Sequence, residues 1–143
     1  MGFWVIGASS LADVNLLLQI IMLTAILFSR GFARNMRLRD HGVLMSVLVG
    51  LNIISFILIM GPTMLNISGS VFTNLRSIGS IITLIHAFTG GTALILGFSL
   101  AVGWRFSKSF KPCAGRRNIM LITIWLWGVS TLSGIMFYIY YYI

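Results

Sequence analysis

Four long apolar runs, separated by short polar stretches, organise the chain. Positions 11–29 are apolar except for Asp13, Asn15, Gln19, Thr24 and Ser29, and the run ends at Arg30. Positions 41–60, 79–104 and 118–143 contain no Asp, Glu, Lys or Arg. A membrane helix needs about 20 apolar residues to cross a hydrocarbon core of roughly 30 Å, so each run predicts one span. The punctuation around them supports the boundaries. Ser10-Leu-Ala-Asp13 has the spacing of a capping box, Asp40 and Asn118 stand where N-caps belong, and Gly61-Pro62 reads as a stop after the second run. The third helix could begin earlier, near Val71. The expected fold is an all-α four-helix bundle forming one transmembrane domain over 1–143. Its connections are too short to hold an aqueous catalytic domain.

Composition sharpens this. Of 143 residues, 58% are hydrophobic and 8% charged, against about a quarter charged in soluble domains. The 10 Lys+Arg and 2 Asp+Glu give a formal charge of +8. Nucleic-acid binding would need those cations on one polar face, but apolar runs separate them, so no nucleic-acid partner is expected. Arg30, Arg34, Arg37 and Arg39 fall in the first connection, and Arg105, Lys108, Lys111, Arg116 and Arg117 in the third. Arg76 stands alone in the second. The positive-inside rule then places connections one and three in the cytoplasm and both termini outside. Trp104 at the inner end and Tyr138, Tyr140, Tyr141 and Tyr142 at the outer end fit interfacial anchors. Residues 1–10 lack the basic start of a cleavable signal, and Phe3 and Trp4 suit an outer interface. The single Cys113 allows no intramolecular disulfide. Asn66-Ile-Ser68 matches a glycosylation tripeptide.

Helices associate in lipid through small residues and polar contacts. Candidate packing stripes are Ala87-x3-Gly91, Ala93-x3-Gly97-x3-Ala101 and Ser130-x3-Gly134. The intramembrane polar residues fall at one depth: Gln19, Asn52 and His86 each sit roughly 12 Å from an outer helix end, with Ser130 and Ser133 near that level. Each needs a partner in hydrocarbon. Two readings stand: a satisfied network that sets helix register, or a ligand- or proton-handling site around His86, since ionisable groups in membranes mark function. Asp13 suits the first turn of its helix, or with Asn15 an outer polar mouth. His41 and His86 invite a metal or haem, but their heights differ by on the order of 20 Å. His41 with Met45 one turn on has the spacing of two ligands and lacks a third.

His41 with Met45, His86, and the last-helix set Trp127, Thr131, Leu132, Ser133, Gly134 and Tyr138 carry a resemblance. From His41 onward the chain resembles a family of small prokaryotic four-helix membrane proteins of unknown function, associated with cytochrome oxidase assembly factors. Members similar to it carry a His-Arg pair before the last helix, where this chain has Arg116-Arg117. The resemblance therefore implies a scaffold that has lost one histidine of any haem or copper site.

The expected function is a small non-catalytic subunit in a prokaryotic plasma membrane. It would stabilise, among lipid and other integral subunits, a terminal oxidase or a copper membrane monooxygenase of the methane/ammonia type. The alternatives are a haem- or copper-binding assembly or redox protein, and a proton or small-solute carrier. No cofactor is favoured.

Overall fold

The computed structural model describes residues 10–106 and 115–143. Phe3, Trp4, Lys108, Lys111 and Cys113 lie outside them. The described chain forms α1 (Ser10–Arg34), α2 (Leu38–Ser55), a π-helical segment (Phe56–Met60), α3 (Gly61–Thr73), α4 (Ile78–Arg105) and α5 (Arg117–Tyr142). Because α2, the π segment and α3 join without a break, there are four continuous rods of 25, 36, 28 and 26 residues. Each is long and apolar enough to span a membrane, and the chain is a four-helix transmembrane protein.

Hydrocarbon offers no partner for backbone groups, so helices close their own hydrogen bonds, and side-chain hydroxyls follow suit. Thr83 donates to the Gly79 carbonyl, Thr123 to Ile119, Thr131 to Trp127 and Ser133 to Val129. These are bonds back to the preceding turn, which let hydroxyls sit in an apolar helix without an external partner. At the basic end, α1 and α2 are joined by a tight turn in which Met36 adopts φ 58°, with Arg37 N–H bonded to the Phe32 carbonyl.

The rods form a ring. α1 packs on α2 and α5, and α4 packs on the same two, the α4–α5 interface being the most extensive. That interface is close because α5 side chains lie against α4 glycines. A Cβ on Gly90 would meet Ser130 Oγ at 2.7 Å, and one on Gly97 would meet Val49 of α2 at 3.2 Å. Conversely, a Cβ on Gly134 would meet the His86 ring at 3.0 Å. Met22, Ile26, Leu48, Val49, Ala93 and Trp127 form the apolar core, with a helix contributing from every side of the ring.

Four expectations need correction. Gly61-Pro62 does not end the second helix. The backbone switches to a wider turn in which Gly61 N–H bonds the Phe56 carbonyl five residues back, and Pro62, which has no N–H, enters the first turn of α3. A Cβ at position 61 would stand 3.0 Å from that carbonyl, which is why glycine suits the site. Val71 accordingly belongs to α3, and α4 starts at Ile78, capped by Ser77, whose hydroxyl accepts the Ser80 N–H at 3.1 Å. Asp40 is not an N-cap: α2 starts at Leu38, and Asp40 forms an exposed ion pair with Arg37 at 2.7 Å. Asn118 is not one either, since α5 starts at Arg117 with no side-chain cap. Asn66 of the glycosylation tripeptide lies within α3.

The stripe Ala87–Gly91 also divides differently from the spacing. Gly90, not Gly91, meets α5, and a Cβ on Gly91 would have no neighbour within 4 Å. A matched pair of variants tests this packing. Gly97→Leu overfills a close contact and should cost about 1–3 kcal/mol, lowering the thermal midpoint in detergent. Gly91→Ala meets open space and should stabilise by about 0.5–1 kcal/mol. Circular dichroism melts of both variants give the comparison.

Candidate functional site

Away from the basic end, the four rods enclose a cavity of about 180 Å³. Its position follows from the π segment. The apolar core closes the bundle around Met22, Val49 and Trp127. Beyond it the chain of α2 widens, and α3 packs on the π segment and on α4. Thr63, Met64 and Ile67 of α3 form one wall of the resulting space.

The polar layer read from the sequence lines this cavity. Gln19, Asn52, His86 and Ser130, one from each rod, all stand on its wall. They are arranged as two pairs. Gln19 Nε2 donates to Asn52 Oδ1 at 3.2 Å, joining α1 to α2. His86 Nδ1 lies 2.9 Å from the Ser130 carbonyl, joining α4 to α5. A carbonyl only accepts, so the proton sits on Nδ1 and the neutral ring keeps its lone pair on Nε2. Among the described residues nothing bonds that Nε2. Ser133 is absent from the wall; its hydroxyl turns back to the Val129 and Ser130 carbonyls. Ala87, Gly91, Ala93 and Gly134 border the cavity, whereas Ala101 lies on a shallow groove between α2 and α4 near the basic end.

Three features were not anticipated. Asp13 is buried, 2% exposed, and accepts a hydrogen bond from the Tyr138 hydroxyl across the α1–α5 interface. Tyr138 is therefore a buried partner rather than an interfacial anchor. Its neighbours Tyr140 and Tyr141 remain exposed. Ser55 donates to Asn15 Oδ1 at 2.5 Å, a second α1–α2 link beside the cavity. Trp127, 2% exposed, is core on one side and cavity wall on the other. Its Nε1 is the one fully buried side-chain polar atom among the described residues without a hydrogen-bond partner.

The two histidines do not meet. His41 Nδ1 lies 2.6 Å from Ser29 Oγ and 3.0 Å from the Ser29 carbonyl. The adjacent Gly42 packs on Trp104, which is about 27 Å along α4 from His86 at 1.5 Å per residue. Met45 packs against the apolar core. Among the described residues no three His, Cys, Asp or Glu side chains converge, so His41, Met45 and His86 do not build a shared metal centre.

These observations define the class: a four-helix transmembrane protein with a polar-walled cavity inside its bundle. Comparison with protein-family models, curated proteins and solved structures gives no match.

The Gln19–Asn52 pair sets a test of its own. Removing one amide strands the other, and removing both leaves an apolar contact. Gln19→Leu should cost about 1 kcal/mol, within the range of interhelical hydrogen bonds in membranes. The double variant with Asn52→Leu should recover most of that loss. A double-mutant cycle of unfolding in detergent reads the difference.

Proposed function

We propose that the protein is a small non-catalytic integral subunit of a prokaryotic membrane oxidoreductase complex, a terminal oxidase or a copper membrane monooxygenase of the methane/ammonia type. Its own contribution is to hold a small molecule in the cavity between its helices. One observation carries this reading. Five of the nine residues on which the family resemblance rests line the cavity. Trp127, Thr131, Gly134 and Tyr138 of the last-helix set and His86 of the preceding rod all line it. Most of the last-helix set faces this space, and the resemblance ties it to oxidase assembly.

The basic end supports the non-catalytic part. His41 stands beside Gly42, which packs on Trp104, and the preceding residue, Gly103, lies under the Arg116 guanidinium. The position at which similar proteins carry histidine is thus near His41, at one end of α4. With arginine there, a cation stands where similar proteins carry histidine. The haem or copper alternative would have to use His41 or His86 without that further histidine.

The carrier alternative draws on Gln19, Asn52 and His86 sharing one wall. Against it stands the apolar core below, where Met22, Ile26, Leu48 and Val49 are buried together. A binding pocket fits this closed floor better than a path.

The membrane is a prokaryotic plasma membrane in this reading, with the first and third connections cytoplasmic and both termini outside. A membrane-impermeant maleimide should then label Cys113 in inverted vesicles and leave it unlabelled in intact cells. The opposite pattern reverses the orientation. For the complex, extraction in mild detergent and native electrophoresis should show the chain in a species far heavier than its own 15.8 kDa, with oxidoreductase subunits identified by mass spectrometry. A stable species containing this chain alone refutes the subunit reading.

A further inference from the structure

We infer that the groove between α2 and α4 near the basic end seats one anionic phospholipid, with an acyl chain along the groove and the phosphate at Arg105 and Arg39. This site faces the lipid side of the bundle and is separate from the cavity enclosed by the rods. Val43, Val47, Gly50 and Ile53 of α2 and Phe98 and Val102 of α4 line it, around a space of about 400 Å³. On each helix these positions recur at helical spacing and so form one stripe. The only side-chain hydroxyl on the wall, that of Ser46, donates to the Gly42 carbonyl of its own helix at 2.8 Å. The groove therefore asks for nothing polar along its length. Gly50 keeps it open, since a Cβ there would have no neighbour within 4 Å.

Length and charge select the occupant. From Val43 to Ile53 the groove runs about 15 Å at 1.5 Å per residue, half of a hydrocarbon core of roughly 30 Å. A partner's membrane helix needs a seat through both leaflets, whereas a lipid tail occupies one. At the basic end the groove reaches Trp104 and Arg105. Trp104 packs on Gly42, so the ends of α4 and α2 meet at one level, where amphipathic rings lie among headgroups. Arg105 continues the stripe of Phe98 and Val102, and Arg39 stands one turn before Val43 on the stripe of α2. Both are exposed. The chain supplies neither with an acid. It has two: Asp40 pairs with Arg37, and Asp13 bonds Tyr138 near the far end of α5. Positions 106–118 contain none. Two guanidiniums at the mouth of an apolar groove match a phosphate that carries a tail, because each can bind phosphate oxygens through charge-assisted hydrogen bonds. A free phosphate would leave the groove unfilled, and a zwitterionic lipid would bring a cation of its own to the arginines.

Native mass spectrometry of the purified full-length chain provides the test. The chain is stripped of lipid in detergent and offered equal amounts of dioleoylphosphatidylglycerol and dioleoylphosphatidylcholine. One phosphatidylglycerol per chain should be retained, with a preference of about tenfold or more. Arg105→Gln and Arg39→Gln should each weaken its retention about fivefold, as expected for one basic side chain near an anionic lipid surface. Arg34→Gln, on the rod diagonal to α4, removes the same charge and should leave retention unchanged. Gly50→Phe puts a ring into the groove and should abolish retention without lowering the thermal midpoint of the lipid-free protein. Should it lower the midpoint, Val47→Trp at an exposed position of the same groove replaces it. Glycerol 1-phosphate, a headgroup without a tail, should not displace the lipid at equal concentration. Equal retention of the two lipids, or an Arg34→Gln effect as large as that of Arg105→Gln, makes the attraction a property of the whole basic end and overturns the site. Undiminished retention in a folded groove-filling variant, or displacement by glycerol 1-phosphate, removes the groove as the seat. If the isolated chain retains no lipid, the proposal falls and the groove is left to a partner's helix. The cavity and subunit readings stand or fall by their own experiments.

Discussion

In hydrocarbon a hydrogen-bonding group has no solvent to return to, and this constraint shapes every feature of the bundle. It makes the backbone helical throughout the spans. It turns threonine and serine hydroxyls back onto their own helices, as at Thr83 and Thr131. It also draws side chains that cannot bond locally across to a neighbouring rod. Gln19 finds Asn52, Asn15 finds Ser55, His86 finds the Ser130 carbonyl and Tyr138 finds Asp13. Because the hydrophobic effect does little to associate helices in lipid, these links and the glycine contacts of α4 with α5 set the register. The four links join α1 to α2, α1 to α5, and α4 to α5. The α2–α4 side is held by small residues instead, Gly42 under Trp104 and Gly97 against Val49.

The same constraint explains the cavity. A Gly-Pro pair ends helices in water, where freed carbonyls are solvated. In a bilayer, breaking the helix would leave them bare, and the cheaper solution is to widen one turn. The π segment accommodates Pro62 without ending the rod. Widening alters the path of the chain, and α3 then lies over the mouth of the bundle rather than in its core. Only Val71 of α3 is buried. The cavity is thus a consequence of keeping a proline inside a long helix, and its wall is rich in residues flanking that turn: Phe56, Ile59, Met60 and Thr63.

This accounts for what a single sequence reveals and what it conceals. Spans depend on apolar runs, which are local, and the four runs are plain. The polar layer is legible too, because Gln19, Asn52 and His86 stand out in apolar surroundings and their distance from a helix end can be counted. Pairings are another matter. Asp13 and Tyr138 are 125 residues apart, and each has an adequate local explanation, as a first-turn acid and an interfacial anchor. The choice between Gly90 and Gly91 as the contact glycine depends on helix rotation, which the small-residue spacing leaves open by one position, about 100° of turn. Pro62 misleads because the rule for it comes from soluble helices. Trp127 is obscured for a different reason: tryptophan in an apolar run looks like filler, and its unpaired nitrogen is visible only once its neighbours are placed.

That nitrogen bears on the two readings of the polar layer. A network whose purpose is register gains by closing every bond, since each open one weakens the specificity it supplies. The Gln19–Asn52, Asn15–Ser55 and Asp13–Tyr138 pairs behave in this way. Trp127 and His86 do not. Both are held firmly, Trp127 by the core around it and His86 by Ser130 and the glycine at position 134. Trp127 Nε1 is fully buried without a protein partner, and His86 stands on the cavity wall with only Nδ1 bonded. A phenylalanine at position 127 would fill the core without burying an unsatisfied donor, so packing alone gives no reason for the indole. His86, pinned through Nδ1 on the cavity wall, has the rigid placement that binding sites require. The layer therefore divides in two: pairs that hold the rods together, and a tryptophan and a histidine that the rods hold in place.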